Sequence, residues 1–170
     1  MSVVVIVEPS ALEREALEMK LRREGYDTLS TQNGRDAIAL LPEAIPDVIL
    51  LDASTPWQHG AEASARPASG LDTLERMRHD PRWRSIPVVV LGDAADPSDL
   101  RRAADLHAAD FLLKSGLTWA DLLSRVRYYA GPHASPASYH ARPHGAMEHT
   151  SRFSRGGPDD DDDDARPPTN

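Results

Sequence analysis

The run Val48-Ile49-Leu50-Leu51 places four large aliphatic side chains in succession, with no polar residue between them. A strand with one wet face alternates apolar and polar residues. A run like this one is buried on both faces, the pattern of a parallel sheet covered by helices. Val3–Val7 is a second such run, and Ile86–Leu91 is a third, all aliphatic after Pro87. The central run ends in Asp52, followed by Ala53-Ser54-Thr55-Pro56. Ligand sites in open α/β sheets lie outside the carboxyl ends of the strands, so Asp52 is a candidate site residue. Asp after a strand is also a common turn or cap residue, and position alone does not separate the two.

Between these runs the period changes from strand to helix. Ser10-x-x-Glu13 reads as a capping box, and Leu12, Ala16, Leu17 and Leu21 keep helical spacing as far as Glu24, with Gly25 as the stop. Tyr26–Ser30 is short and partly polar, which suits an edge strand. Asn33-Gly34 turns into a second helix, with Ala37, Ile38, Leu40 and Leu41 as its apolar face. Gly70 opens a third, carrying Leu71, Leu74 and Met77. Asp96-Pro97 supplies an N-cap and a first-turn proline for a fourth, running to about His107. Asp110–Leu113 is the fifth strand, and Thr118-x-x-Asp121 caps a last helix with Leu122, Leu123 and Val126 on one side.

Five strands alternating with five helices predict a parallel sheet with right-handed crossovers. The length favours an open doubly wound α/β fold, since a closed barrel of eight βα units needs about 250 residues. Strand order 2-1-3-4-5 would set the ends of strands one, three and five side by side, so that Glu8, Asp52 and Lys114 converge. Two acids and a lysine at one sheet edge can hold a divalent cation and balance an added anion. Carboxylates are hard ligands of the kind Mg²⁺ accepts, and an ammonium pairs with phosphate. This is chemistry for phosphoryl transfer onto a carboxylate. A plain salt bridge between Lys114 and Asp52 is the simpler structural alternative.

Composition bounds the rest. No run of 18 apolar residues occurs, no basic segment precedes Val3, and cysteine is absent, so the expected setting is cytoplasmic, without membrane insertion. A net charge of −8 argues against direct binding to nucleic acid or anionic membranes. Residues 131–170 hold four Arg against Glu148 and six Asp, a net of −3, which leaves −5 for residues 1–130. This tail is rich in Pro and His, nearly free of aliphatics, and contains the block Asp159–Asp164. It cannot bury enough apolar surface to offset a chain entropy of roughly 1–2 kcal/mol per residue, so disorder is expected. The Ala-, Gly-, Pro- and Ser-rich stretch 57–69 has no readable period and is expected to be a long loop.

Over residues 3 to about 130 the chain resembles the receiver domain of two-component response regulators. Val4-Val5-Ile6-Val7-Glu8 looks like its first strand and acid. Pro46-Asp47-Val48-Ile49-Leu50-Leu51-Asp52, with Pro56, looks like the phosphoacceptor strand and loop. Gly70-Leu71-Asp72-Thr73-Leu74 resembles the start of the third helix, Ile86–Leu91 the fourth strand, and Ala109-Asp110-Phe111-Leu112-Leu113-Lys114 the fifth with its lysine. The resemblance implies a flavodoxin-like fold with Asp52 as phosphoacceptor and Lys114 contacting the phosphoryl group. It also implies Mg²⁺ held by Glu8, Asp52 and the Ser54 carbonyl, and places Phe111 where receivers carry an aromatic that changes rotamer on activation.

The departures bear on the same chemistry. Receivers usually show two adjacent acids after the first strand, and the better metal ligand of the two is replaced here by Pro9, so Mg²⁺ should be held weakly or not at all. The switch Ser or Thr after the fourth strand is Gly92, and the proline after the lysine is Ser115. The loop after Pro56 is about ten residues longer than usual and would lie over the pocket. A lost charged ligand removes electrostatic stabilisation worth roughly 3–4 kcal/mol. A lost hydroxyl removes a charge-assisted hydrogen bond worth about 1.5–3 kcal/mol.

With no DNA-binding or catalytic domain after residue 130, the expected function is a stand-alone receiver. It would accept phosphate from a histidine kinase or phosphotransfer protein and signal to a downstream protein partner. The alternative is a phosphorylation-independent pseudo-receiver that serves as a binding scaffold. An unrelated enzyme is disfavoured: a Gly-rich phosphate loop and a Ser-His or Cys-His arrangement are both missing. On the last helix Trp119, Arg125, Tyr128 and Tyr129 have interface character. In receivers this region is a common dimer or output surface, although Trp119 and one tyrosine could equally complete the core.

Overall fold

The computed structural model describes residues 2–58, 69–93 and 96–131. The expectations of a disordered tail and of a long loop therefore fall, except for Trp57, Gln58, Ser69 and Gly131, outside the described residues. Ten elements alternate: β1 Val3–Val7, α1 Ala11–Arg23, β2 Asp27–Thr31, α2 Gly34–Ala44, β3 Val48–Asp52, α3 Gly70–His79, β4 Val88–Gly92, α4 Pro97–Asp105, β5 Asp110–Leu113 and α5 Trp119–Ala130. The strands form one parallel sheet in the order β2-β1-β3-β4-β5. This is the doubly wound, flavodoxin-like arrangement expected.

The aliphatic runs explain why both faces are covered. Val5, Val7, Ile49, Leu51, Val88 and Val90 pack on one side with Leu41 of α2, Leu71, Leu74 and Met77 of α3, and Ala103 of α4. The alternate residues Val4, Ile6, Val48, Leu50, Val89 and Leu91 pack on the other side with Leu21 of α1 and Leu122, Leu123 and Val126 of α5. Period two thus divides each run between two cores. The edge strand β2 reads as partly polar because only one of its sides is fully covered; Leu29 on it stays 41% exposed.

Helix ends follow the sequence signals with one instructive exception. Thr118 and Asp121 form the reciprocal capping box, and Asp96 accepts from the Ser98 amide with Pro97 in the first turn. At α1 only half the box forms. The Ser10 hydroxyl accepts from the Glu13 amide at 3.4 Å, but the Glu13 side chain points elsewhere.

Gly70 is set by a close approach. Its amide donates to the Ala53 carbonyl at 2.9 Å, and a Cβ at this position would stand 2.2 Å from the Asp52 carbonyl oxygen. That oxygen is backbone at the end of a central strand and cannot rotate away. Gly70→Ala is expected to cost about 1–3 kcal/mol in urea unfolding, the range for overpacking a close-packed site. It should also displace the turn after Asp52.

Candidate phosphoacceptor site

The register of the sheet builds the site. Val7 pairs with Leu51, Asp52 with Leu91, and Gly92 with Leu113, so Glu8, Asp52 and Lys114 all emerge at the same carboxyl edge. One detail of the expected placement is corrected. β5 is not beside β3, because β4 lies between them, and the long lysine side chain reaches past the β4 end to meet both acids. At that end Gly92 carries no side chain, and its carbonyl accepts from the Lys114 amide at 2.8 Å.

Lys114 Nζ stands 2.6 Å from Asp52 Oδ2, 2.9 Å from Glu8 Oε2 and 2.6 Å from Glu13 Oε2. The salt-bridge alternative is thus present and larger than expected, with three carboxylates on one ammonium. The remaining oxygens of the two buried acids are also engaged. Asp52 Oδ1 accepts from the Ser54 amide at 2.7 Å and from the Ser54 hydroxyl, and Glu8 Oε1 accepts from the Ser10 amide at 2.9 Å. Asp52 and Glu8 are almost fully buried, at 1% and 2% exposure.

Burial is the main force on Glu8. It pushes the carboxyl above the ordinary glutamate value, more than the hydrogen bonds from Ser10 and Lys114 pull it down. Burial also opposes the charge on Lys114. There the hydrogen bonds to Asp52, Glu13 and Glu8 together win, and the ammonium is held well above the ordinary lysine range. The geometry gives one partly buried ammonium three carboxylates to serve.

Glu13 is the site residue that sequence reasoning missed. As the fourth residue of Ser10-x-x-Glu13 it carries the signature of a local cap. Only the placement of the first turn of α1 beside Lys114 gives it a different partner. The other predicted residues fall as follows. Phe111 is partly buried against the core beneath α3 and α4. Trp119 packs on the α1–α5 core with Lys20 5.4 Å from its ring, and the Tyr129 hydroxyl donates to the Ala109 carbonyl at 2.6 Å. Arg125 pairs with Asp110 at 3.2 Å, and Tyr128 is 77% exposed. The intended surface is therefore divided, with Trp119 and Tyr129 facing the core and Arg125 and Tyr128 facing solvent.

Whether the donors suit a divalent cation can be judged from their chemistry. Mg²⁺ accepts one or two carboxylates and keeps several waters. Glu8, Asp52 and the Ser54 carbonyl meet that minimum. Pro9 adds no acid, and no group of three or more His, Asp or Glu arranged for a metal ion occurs among the described residues.

The loop after Asp52 is held from two sides. The Thr55 hydroxyl donates to the Val7 carbonyl at 3.3 Å, and the Gly34 and Arg35 amides of α2 donate to the carbonyls of Pro56 and Trp57. The Trp57 ring in turn lies 4.0 Å from the Arg76 guanidinium of α3. The acid is thereby presented on a rigid turn.

The sequence profile of the response regulator receiver domain matches residues 4–127. The chain belongs to the response regulator receiver family. The receiver is 30% identical over 127 residues to the transcriptional regulatory protein KdpE of Mycobacterium tuberculosis, a match covering 75% of this chain and 50% of KdpE. The chain thus spans about half the length of the curated relatives it matches. Among solved structures it is similar to the receiver domain of a signal transduction histidine kinase from Syntrophus aciditrophicus. That likeness has a TM-score of 0.66 and 26% identity, over 86% of this chain and 100% of the other. It also shares its fold with the receiver domain of the sensor histidine kinase PA1611 from Pseudomonas aeruginosa, with a TM-score of 0.64 and 21% identity, over 76% and 98% of the two chains. That neighbour was solved with a magnesium ion coordinated in its active-site cleft. Among the described residues of this receiver, no helix is long and apolar enough to cross a membrane.

Proposed function

We propose that this receiver accepts a phosphoryl group on Asp52 from a phosphohistidine of a kinase or phosphotransfer protein, and that it signals through protein contacts rather than by turning over a substrate. The observation that carries this reading is the convergence of buried Asp52 with the Lys114 ammonium at 2.6 Å on a sheet edge. In the step, an Asp52 carboxylate oxygen bonds to phosphorus as the N–P bond breaks. The bonding pair returns to the imidazole, which takes a proton from water. Lys114 pairs with the added charge, and the Ser54 amide and hydroxyl hold the non-reacting oxygen and so orient the carboxylate.

Mg²⁺ is the cofactor this reading assigns, held by Glu8, Asp52 and the Ser54 carbonyl, where it would neutralise charge on the transferring phosphoryl oxygens. With Pro9 in the adjacent position, its affinity is expected to be low. The setting assigned is cytoplasmic. The surface assigned to partners is that of the exposed Arg125 and Tyr128 on α5, which also suits a homodimer. Neither nucleic acid nor membrane is assigned as a partner, in keeping with the net charge of −8.

A second reading, a scaffold that works without phosphorylation, is favoured by two features. Every carboxylate oxygen of Asp52 already has a protein donor, and Gly92 offers no hydroxyl to a phosphoryl oxygen. Incubation with acetyl phosphate and Mg²⁺, read by intact mass, separates the two. Uptake of one phosphoryl group by the wild type and none by Asp52→Asn is the expected result. No uptake by the wild type, under conditions that label an ordinary receiver, would leave the scaffold.

A further inference from the structure

We propose that Glu13 is a clamp on Lys114, and that phosphorylation of Asp52 releases it and so carries the signal to the first turn of α1. The proposal rests on the reading of Asp52 as phosphoacceptor. Three carboxylates share one ammonium, at 2.6 Å for Asp52, 2.9 Å for Glu8 and 2.6 Å for Glu13. They are not equivalent. The side chains of Asp52 and Glu8 are 1% and 3% exposed, whereas that of Glu13 is 53% exposed. A buried carboxylate that loses its only cation remains uncompensated, while a half-exposed one exchanges the cation for water at little cost.

A phosphoryl group on Asp52 adds negative charge and acceptor oxygens beside Lys114. The ammonium then has a stronger acceptor than it can serve together with all three present partners, so one contact must lengthen. Exposure decides that it is the contact to Glu13. Glu13 and Lys114 both border a cleft of about 390 Å³ between α1 and α5, so the freed carboxylate has water to enter. This route needs no hydroxyl at position 92. The displaced group lies on α1, whose first turn is also tied to the site by the Ser10 amide on Glu8 and by Arg14 on the Glu8 carbonyl at 2.7 Å. Loss of the switch hydroxyl at Gly92 is therefore compatible with a receiver that reads out on its α1 side.

The chain contains two lysines, Lys20 and Lys114, so ¹⁵N-lysine NMR resolves the ammonium in question with Lys20 as an internal reference. In unphosphorylated protein, proton exchange of the Lys114 ammonium with water is expected to be about tenfold faster in Glu13→Gln than in wild type, as when one charge-assisted hydrogen bond is lost. Equal rates would overturn the clamp, whatever the fate of Asp52. After acetyl phosphate treatment with uptake verified by intact mass, amide exchange in Ala11–Arg14 should rise in wild type and not rise further in Glu13→Gln. Phosphorylated wild type with unchanged α1 exchange would overturn the coupling. A wild type that takes up no phosphoryl group would overturn the acceptor reading and the coupling with it, while the lysine exchange rates still decide the clamp.

Discussion

Lys114→Met is expected to destabilise the fold by about 3–5 kcal/mol at neutral pH, the cost of removing one partner from a buried ion cluster. Asp52 and Glu8 would remain buried without the one cation that, among the described residues, forms a salt bridge with either carboxylate. The pH dependence distinguishes this cause from lost packing. Burial already raises the Glu8 carboxyl above its ordinary value of 4.5 with Lys114 present, and removing the lysine removes two influences that oppose the rise. A carboxyl whose pKa is higher in the folded state binds its proton more tightly there. Its effect on stability is most favourable below the unfolded value and declines as pH rises through the folded one. The deficit against wild type should therefore shrink between pH 8 and pH 4.5. Urea unfolding at both ends of that window measures it. A deficit that is constant with pH would assign the loss to packing of the lysine stem instead.

Pro9→Asp should accelerate phosphoryl uptake from acetyl phosphate in Mg²⁺ by about 10²–10³, the range associated with one preorganised charged group at a transferring oxyanion. Position 9 follows Glu8 directly and precedes the N-cap Ser10, so an added carboxylate stands at the mouth of the site rather than in the core. The same substitution should tighten Mg²⁺ binding in calorimetry, because a third carboxylate joins Glu8, Asp52 and the Ser54 carbonyl. Faster uptake together with tighter Mg²⁺ would locate the handicap of this receiver in its metal ligands. Uptake unchanged within a few-fold, with tighter Mg²⁺, would locate it in the carboxylates that occupy Lys114.

The two substitutions probe opposite sides of one charge problem. The site concentrates Glu8, Asp52 and Glu13 around a single ammonium. An incoming phosphoryl group adds to the excess. Either a divalent cation or the departure of Glu13 must relieve it. Rescue by Pro9→Asp and release in Glu13→Gln would measure those two routes separately.

Much of this could be read from the chain alone, for a definite reason. Uninterrupted runs such as Val48–Leu51 are compatible with few environments, and a strand buried on both faces dictates covering helices, parallel pairing and a site at the carboxyl edge. The caps at Thr118 and Asp96 are equally local, since their hydrogen bonds close within a few residues. Asp52, Glu8 and Lys114 follow from the strand ends once the order of the sheet is known.

What tertiary structure decided is what depends on long side chains crossing between elements. Lys114 had to pass the end of β4, where Gly92 lies, to reach Asp52, and the reach of that side chain is not written in the local pattern of either strand. Glu13 carries the same local signal whether it closes a capping box or reaches a lysine 101 positions away. The two outcomes differ only in how the first turn of α1 sits against the β5–α5 connection. Trp119 and Tyr128 are both aromatic residues of α5, yet one packs on the core and the other faces water. Local pattern determines the elements because their energetics close within a turn or a strand. The partner of a charge is settled by whichever opposite charge the assembled fold brings within about 3 Å, and that distance exists only once the sheet and its helices are in place.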